Sequence, residues 1–329
     1  MQSRARGLSN ALIGDMAPTQ LAGEAGAEGI LYKSGPFTVR LHCEHARMMD
    51  NFQQMYRHHR LLDSAAHIAH FSIDMQRPHG LRRWWRPQIR MRTDAQTPFE
   101  PFPLDHAFPL FEWSLNWVTA MQAHQFLMLH SAVVEKDGVA LIMPALPGSG
   151  KSTLCAALML SGWRLLSDEF GLIRPDDPRL LLHPLPRPIP LKNASIQVIR
   201  DFAPDAALGP TYPKTRKGDV AHLAATRASQ RQGEQTAPAG WFLFPQYQAG
   251  SSLQIEPLAR SWTFLKISGN SFNYKLQGAR GFRTVAQLVK NCPAYRLSYS
   301  DLDQAIKQIE ALHRQVIQQR APQAAPAAQ

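Results

Sequence analysis

A short glycine-rich segment near the middle of the chain carries residue types that bind phosphate. It reads Ala-Leu-Pro-Gly-Ser-Gly-Lys-Ser over 145–152. Small residues let successive backbone N–H groups curl around an anion, and a helix that starts directly after the loop points its positive end at the phosphates. We expect Lys151 to reach the terminal phosphates and the Ser152 hydroxyl to bind Mg²⁺. The loop departs from the standard pattern only at its first position, where Ala145 replaces glycine.

The segments on both sides of this loop fit a nucleotide site. A predicted hairpin precedes it, with strands over 126–134 and 139–144 and a turn over 135–138, and an apolar helix follows it directly. These neighbours favour nucleotide binding over an ordinary glycine-rich turn with a chance lysine. The expected ligands are ATP and Mg²⁺. The residues assigned to the nucleotide are Pro147, Gly148, Ser149, Gly150, Lys151, Ser152 and Thr153.

Two adjacent acids, Asp168 and Glu169, follow the next predicted strand, 164–167. Strand carboxyl ends line the ligand crevice of an open α/β sheet, so we expect Lys151 and Asp168 at the same edge. Phosphoryl transfer needs an acid to hold Mg²⁺ and, for a hydroxyl acceptor, a carboxylate to take its proton. The two acids could divide those tasks. The alternative is a solvated acidic turn without function.

Three features resemble the HPr kinase/phosphorylase family, whose phosphate-loop core is also related to phosphoenolpyruvate carboxykinase. The loop over 147–152 resembles the family's phosphate loop, and Gly162–Glu169 resembles its Gly-His-Arg-Leu-(apolar)-(small)-Asp-Asp segment. His130 resembles the histidine that precedes the family's hairpin. The likeness covers residues 126–200. It implies an α/β fold with a P-loop HPr kinase/PEP carboxykinase-like core, to which an N-terminal α+β appendage is attached.

The resemblance also implies roles for individual side chains. Asp168 takes the place of the family's catalytic aspartate, and Glu169 replaces its second aspartate and supports Mg²⁺ together with Ser152. His130 would lie beside the acceptor or polarise Asp168, although a lone histidine in an apolar strand is otherwise a common core residue. The Glu-(apolar)-Arg-Gly segment of true HPr kinases is not visible in the sequence, so the resemblance does not extend to HPr as acceptor or to phosphorylase activity.

A closer likeness is to the branch of HPr kinase-related proteins. It is carried by Pro186–Ile196, Thr215–Gly218 and the Asn-Trp pair that ends Glu112–Trp117. The likeness implies that Lys192 and Lys217 lie at the γ-phosphate, where extra cations neutralise charge on the transferred group. By composition alone, both lysines belong to basic segments that could equally be solvated loops. Members of this branch lie near peptide-modification genes, which implies a protein or peptide acceptor.

The chain has 329 residues, enough for about two domains. We assign residues 1–125, with strands expected at 37–41 and 71–75, to an α+β region that recognises the substrate or partner. The phosphate loop belongs to a second domain, 126–315, and the Ala/Pro/Gln-rich residues 316–329 are expected to be a disordered tail.

Local patterns predict further elements. The apolar positions Phe111, Leu115, Val118 and Met121 fall at helical spacing, which predicts a helix over 107–125. Ser300 is expected to begin a capping box before the last helix. Weak periodicity predicts loosely ordered chain over residues 1–29, and polar composition predicts a mobile loop over 226–240.

Composition limits the classes of protein and partner. Lysine and arginine number 36 against 25 acids, a net charge of +11 with pI near 9.9, which favours anionic partners. With 44% apolar residues the chain is not wholly disordered. Three cysteines without metal or redox spacing predict a reducing, cytoplasmic location. The uncharged stretch 113–134 contains histidine, asparagine and glutamine, so we expect no membrane segment.

One basic segment, Arg77–Arg92, holds six arginines and no acid, with Trp84 and Trp85 among them. Arginine interleaved with tryptophan has three possible roles. In order of preference they are structural cation–π packing, recognition of an acidic peptide or partner, and nucleic-acid binding. No nucleic-acid module accompanies the segment, so nucleic acid is disfavoured as a partner. The three alternatives stay open at this point.

Together these observations predict an ATP-dependent kinase that transfers the γ-phosphoryl group to a hydroxyl, that of Ser or Thr in a protein or peptide. The alternatives are a P-loop ATPase that acts as a nucleotide-dependent scaffold, and a small-molecule kinase. The sequence identifies neither the acceptor nor the nucleotide base, and it leaves a homo-oligomer open.

Overall fold

The computed structural model describes residues 11–78, 80, 85–94, 96–146 and 148–320. Helices in this part of the chain are α1 (Pro18–Ala27), α2 (Ala46–Tyr56), α3 (Ala107–Gln122), α4 (Lys151–Leu160), α5 (Ala194–Phe202), α6 (Arg227–Arg231), α7 (Arg260–Gly269), α8 (Tyr274–Asn291) and α9 (Leu302–Arg320). Strands are β1 (Ile30–Ser34), β2 (Phe37–Cys43), β3 (Phe71–Gln76), β4 (Gln88–Arg92), β5 (Phe102–Pro103), β6 (Leu127–Lys136), β7 (Val139–Pro144), β8 (Arg164–Ser167), β9 (Phe170–Ile173), β10 (Leu181–His183), β11 (Ile189–Lys192), β12 (Tyr212–Thr215), β13 (Gly218–Leu223), β14 (Ala237–Tyr247), β15 (Gln254–Pro257) and β16 (Ala294–Tyr299).

The N-terminal region is a mixed sheet in the order β1-β2-β3-β4-β5, covered by helices. Strands β2 and β3 run parallel, and the other neighbours are antiparallel. Alternation places Phe71, Ile73 and Met75 of β3 in the core, as a half-buried strand requires. The strands predicted at 37–41 and 71–75 are confirmed.

One local prediction in this region is wrong. Residues 12–29 are not loosely ordered, because α1 packs Leu21 and Ala25 into the core; residues 1–10 lie outside the described residues. The helix predicted over 107–125 is confirmed as α3, in which Met121 is 54% exposed. At 100° per residue, Met121 lies about 80° around the helix from Phe111, which is off the buried face.

The second mixed sheet has the order β10-β9-β6-β7-β14-β16-β15, with β8 also paired to β6. Strands β7, β14 and β16 are mutually parallel, whereas β6 is antiparallel to both β7 and β8. The carboxyl ends of β7, β8, β14 and β16 therefore meet at one edge. One face packs on α4 and α9, and the other on α7 and α8. The sheet order thus brings the residues that follow these four strands together.

The C-terminal half corrects three expectations. Residues 226–240 are not a mobile loop: they form α6, with Ser229 buried, and the start of the central strand β14. Asp301, not Ser300, caps the last helix, since its carboxylate accepts the Gln304 N–H at 2.8 Å. That helix continues to Arg320 with Val316 buried, and so enters the segment expected to be a disordered tail. Residues 321–329 lie outside the described residues.

The two regions share one hydrophobic core. Phe126, Met128, Phe170 and Leu172, from the second sheet or its approach, pack in the same cluster as the helices and strands of the N-terminal sheet. Apolar burial of this kind is the main favourable contribution to folding. The described part of the chain is therefore a mixed α/β protein in which the N-terminal region packs directly against the sheet that carries the loop.

Candidate functional site

The glycine-rich loop adopts a backbone that other residues would strain. Gly148 and Gly150 have φ of 86° and 85°, in the left-handed region that favours glycine. A Cβ on Gly150 would also lie 2.8 Å from the Tyr299 hydroxyl and 2.9 Å from the Tyr247 Cβ. Glycine at 150 is thus required by its conformation and by its neighbours. Pro147 lies outside the described residues.

Helix α4 starts directly after this loop, at Lys151, and no side chain caps its N-terminus. The first helical bond is from the Leu154 N–H to the Gly150 carbonyl, at 3.0 Å, so the N–H groups of Lys151, Ser152 and Thr153 have no partner within the helix. The buried Ser149 hydroxyl also lacks a partner among the described residues. Unpaired donors at a helix N-terminus suit an anion.

The phosphate loop and the acidic pair are in direct contact, as the sequence predicts for one sheet edge. Lys151 Nζ donates to the Asp168 backbone carbonyl at 2.5 Å, and Ser152 Oγ donates to Asp168 Oδ2 at 2.9 Å. Asp168 is only 6% exposed and Lys151 only 8%. A buried carboxylate bonded to the loop is not a solvated acidic turn.

Asp168 is a buried acid with one unsatisfied oxygen. Burial raises its pKa, an effect that the positive charge of Lys151 opposes and the negative charge of Glu169 reinforces. Asp168 Oδ1 has no partner within hydrogen-bond distance among the described residues. The buried Cys155 thiol, a weak donor whose own pKa is raised by burial, interacts with this carboxylate. The free oxygen is available to a metal, a water molecule or an acceptor hydroxyl.

Glu169 is paired with His130, the histidine singled out in the sequence. His130 Nε2 lies 3.3 Å from Glu169 Oε1. Burial raises the pKa of Glu169, but the hydrogen bond from His130 and the nearby positive charge of Lys151 lower it more, to about 2. Asn270 holds the His130 backbone through two hydrogen bonds of 2.9 Å. His130 therefore contacts Glu169, and the Ser152 hydroxyl contacts Asp168.

Lys192 ends β11, and Lys217 lies in the turn between β12 and β13 of a small antiparallel sheet with the order β11-β13-β12. The residues that follow the two lysines are tied together, because Asn193 Oδ1 accepts the Asp219 N–H at 3.0 Å. Gly218 has φ of 85°, and a Cβ there would overlap the Asn193 side chain. Burial and the charge of Lys217 lower the pKa of Lys192. The positive charge of Lys192 in turn opposes the effect of burial on Asp168, whose pKa is raised. The structure thus places Lys192 within electrostatic reach of both Lys217 and Asp168.

The N-terminal region contacts this site through α3. Lys217 Nζ lies 5.1 Å from the centre of the Trp113 ring. Arg187, buried on the approach to β11, pairs with Glu112 at 3.7 Å and hydrogen-bonds to the Asn116 side chain. Arg187 and Asn116 are 71 residues apart along the chain, and no local pattern predicts that they meet. Their contact requires two segments that are far apart along the chain to pack together.

The basic segment Arg77–Arg92 is only partly described, since residues 79 and 81–84, which include Trp84, lie outside the described residues. Its last part is strand β4, and Trp85 is 68% exposed with the Arg86 guanidinium 5.2 Å from its ring centre. A surface cavity of about 660 Å³ lies beside them. We call it the basic groove; its lining is His45, Arg47, Arg86, Pro87, Gln88, Pro103, Leu104 and Asp105.

The residues at the site fit Mg²⁺ bound together with a nucleotide. Magnesium is usually held by one or two carboxylates plus substrate phosphates. The Ser152 hydroxyl contacts Asp168, the Glu169 carboxylate follows directly in the chain, and Asp168 Oδ1 is a buried oxygen without a hydrogen-bond partner among the described residues. Among the described residues no group of three or more His, Cys, Asp or Glu forms a self-contained metal site. The three cysteines are buried and free.

Two comparisons with known proteins were made for this chain. No family model matches the chain, and a search of curated proteins found no significant match. In the part of the chain that the structure describes, none of the helices has the length and apolar character needed to cross a membrane. The case for a function therefore rests on the residues and their geometry.

Proposed function

We propose that the protein is an ATP-dependent kinase with an HPr kinase-like P-loop core, which transfers the γ-phosphoryl group to a Ser or Thr hydroxyl of a protein or peptide. The contact between Ser152 Oγ and Asp168 Oδ2 carries this proposal. It joins the residue expected at Mg²⁺ to the acid expected at the transferred group. An ordinary glycine-rich turn gives no reason for a buried, half-satisfied carboxylate at this position.

The chain's own groups suggest the steps. Backbone N–H groups of the loop and of residues 151–153 bind the β- and γ-phosphates, with Lys151 neutralising their charge. Ser152 and Glu169 are the residues that would hold Mg²⁺, which would neutralise charge on the phosphates. Asp168 then takes the acceptor hydroxyl's proton while the acceptor oxygen bonds to the γ-phosphorus. The bond from that phosphorus to the β,γ-bridging oxygen breaks, and ADP leaves.

The two carboxylates differ in their fitness as bases. A group with a raised pKa accepts a proton more readily than one with a pKa of about 2. Asp168 is therefore the base in this proposal, and Glu169, which His130 holds, stays ionised beside it. Lys192 and Lys217 stabilise the charge that spreads over the γ-phosphate oxygens during transfer.

A polypeptide acceptor is supported by the position of the basic groove. Pro103 of the groove adjoins Phe102, whose ring lies 5.2 Å from the Arg216 guanidinium. Lys217, the residue after Arg216, is one of the two lysines proposed at the γ-phosphate. Basic side chains thus lie both in the groove and at the turn that carries Lys217, which suits an extended acidic segment next to the phosphorylated hydroxyl.

The test is incubation with γ-labelled ATP and Mg²⁺, using two serine peptides as probes. One peptide has glutamate on both sides of the serine and the other has glutamine. We expect label on the acidic peptide, and we expect the Lys151→Ala variant to lose both the label and the thermal stabilisation by Mg-ATP. Lys307→Ala, an exposed lysine on α9, is the matched control.

The same assay separates the alternatives. Release of phosphate without label on a peptide would favour the ATPase, and label on a small metabolite would favour the small-molecule kinase. The double variant Arg47→Glu and Arg86→Glu should reduce selectivity for the acidic peptide over the neutral one by about tenfold, the effect of 1.4 kcal/mol. An equal loss on both peptides would contradict docking in the basic groove.

A further inference from the structure

The sheet order places the acidic residues on one side of the glycine-rich loop. The phosphate loop follows β7, which lies between β6 and β14. Asp168, Glu169 and His130 all lie on the β6 and β8 side, so the γ-phosphate belongs there. The nucleoside end must leave the loop in another direction, and the opposite flank is formed by the carboxyl ends of β14 and β16.

That flank carries two tyrosines. Tyr247 ends β14 and is 52% exposed, while Tyr299 ends β16 and is buried. Their rings meet edge to face, with centroids 5.8 Å apart and an angle of 73° between the planes. Tyr299 thus supports one part of the Tyr247 ring, and half of the Tyr247 side chain stays open to solvent next to the loop.

Tyr247 is fastened to the loop by its backbone. Its N–H donates to the Ser149 carbonyl at 3.0 Å, and its Cβ lies 2.9 Å from where a Cβ on Gly150 would stand. The chain beyond it is also held, because the Gln248 N–H donates to the Tyr299 carbonyl at 2.9 Å. An exposed ring is therefore kept at a fixed distance from the phosphate-binding backbone.

We propose that Tyr247 is the nucleobase platform of the site: its exposed ring stacks on the base of the bound nucleoside triphosphate. This inference rests on the proposed function. Aromatic stacking tolerates every base because each base has a π-face, and removal of such a ring weakens binding by the equivalent of about 1–3 kcal/mol, or 5- to 150-fold. The platform sets affinity for a nucleoside and discriminates little between adenine and guanine.

The test compares binding of Mg-ATP with binding of inorganic tripolyphosphate and Mg²⁺, which has phosphates but no base. We expect Tyr247→Ala to weaken ATP about 5- to 150-fold and to leave the affinity for tripolyphosphate close to that of the wild type. Tyr247→Phe, which keeps the ring, should bind ATP as the wild type does. Phe282→Ala is the matched control, because that ring is 54% exposed and rests edge-on against Phe264.

The outcomes separate this inference from the function on which it rests. Equal weakening of ATP and tripolyphosphate by Tyr247→Ala would overturn the platform and show that the ring only shapes the loop. Wild-type affinity for tripolyphosphate equal to that for ATP would also overturn it, since no base contact would then contribute. If the wild type binds neither, or if Lys151→Ala binds both normally, the proposed phosphate loop itself fails.

Discussion

Glu112 in the N-terminal region and Asp168 beside the phosphate loop are both buried acids with an arginine or lysine close by. Burial raises the pKa of each, that of Glu112 to about 7. Both also accept a hydrogen bond from a hydroxyl group: Glu112 from Tyr56 at 2.6 Å and Asp168 from Ser152 at 2.9 Å. By residue type and burial alone they would be given the same role.

They differ in what remains unsatisfied. The second oxygen of Glu112 forms an ion pair with the Arg187 guanidinium at 3.7 Å. The second oxygen of Asp168 has no hydrogen-bond partner among the described residues, and it lies beside a loop of unpaired backbone donors. A buried acid paired with a buried arginine holds two elements together, whereas one with an unpartnered oxygen next to unpaired backbone donors is ready for a ligand.

The largest effect we expect separates the two acids by activity. Asp168→Asn keeps the shape of the side chain but removes the base, so phosphotransfer to the acidic peptide should fall by about 10²–10⁴-fold while Mg-ATP still binds. Glu112→Gln is the matched control and should cause no comparable loss. Equal losses in the two variants would mean that the unsatisfied oxygen does not mark the catalytic acid.

We expect a substitution at Glu112 to lower the free energy of unfolding more than a substitution at Asp168. Glu112→Ala leaves the buried Arg187 guanidinium without its acid, and breaking a buried ion pair in this way costs about 3–5 kcal/mol. Asp168→Asn should change the free energy of unfolding much less, because Asp168 is poorly satisfied in the folded protein. Urea unfolding of both variants measures the difference. A greater loss in Asp168→Asn would show that Asp168 is the structural acid.

The smallest effect is a pH dependence that belongs to Glu112. Its pKa is higher in the folded chain, about 7, than its ordinary value of 4.5, so between these pH values the folded state binds more protons than the unfolded one. Its contribution to stability is therefore complete below pH 4.5 and is lost as the pH rises through 7. The wild type should lose unfolding free energy relative to the Glu112→Gln variant as the pH rises, by at most about 1.4 kcal/mol per pH unit. A difference that rises with pH would contradict this assignment.

Several features of the candidate site were predictable because they are local. The hairpin, the loop and α4 follow one another directly, and Asp168 comes one short strand later, so spacing alone placed Lys151 and Asp168 at one edge. The strands predicted at 37–41 and 71–75 are confirmed for the same reason: alternation and length are properties of the segment itself.

Predictions failed where neighbours in space decide the structure. Residues 226–240 are polar and look like a loop, yet they supply α6 and the start of a central strand because Ser229 and Ala237 find partners in β8 and β10. The pairing of His130 with Glu169 and of Ser152 with Asp168 could not be derived from spacing, since both acids are adjacent in the chain. Only the local turn after β8 decides which carboxylate faces which partner.

The sequence by itself determined the glycine-rich loop and its helix, since glycines at positive φ, a lysine and a following helix form one short continuous unit. The tertiary structure alone decided what surrounds that unit. Tyr247 and Tyr299 reach the loop because β14 and β16 lie next to β7 in the sheet, and Glu112 meets Arg187 because the N-terminal region shares a core with that sheet. Such contacts join residues far apart along the chain, and strand order and side-chain packing, which no local pattern encodes, bring them together.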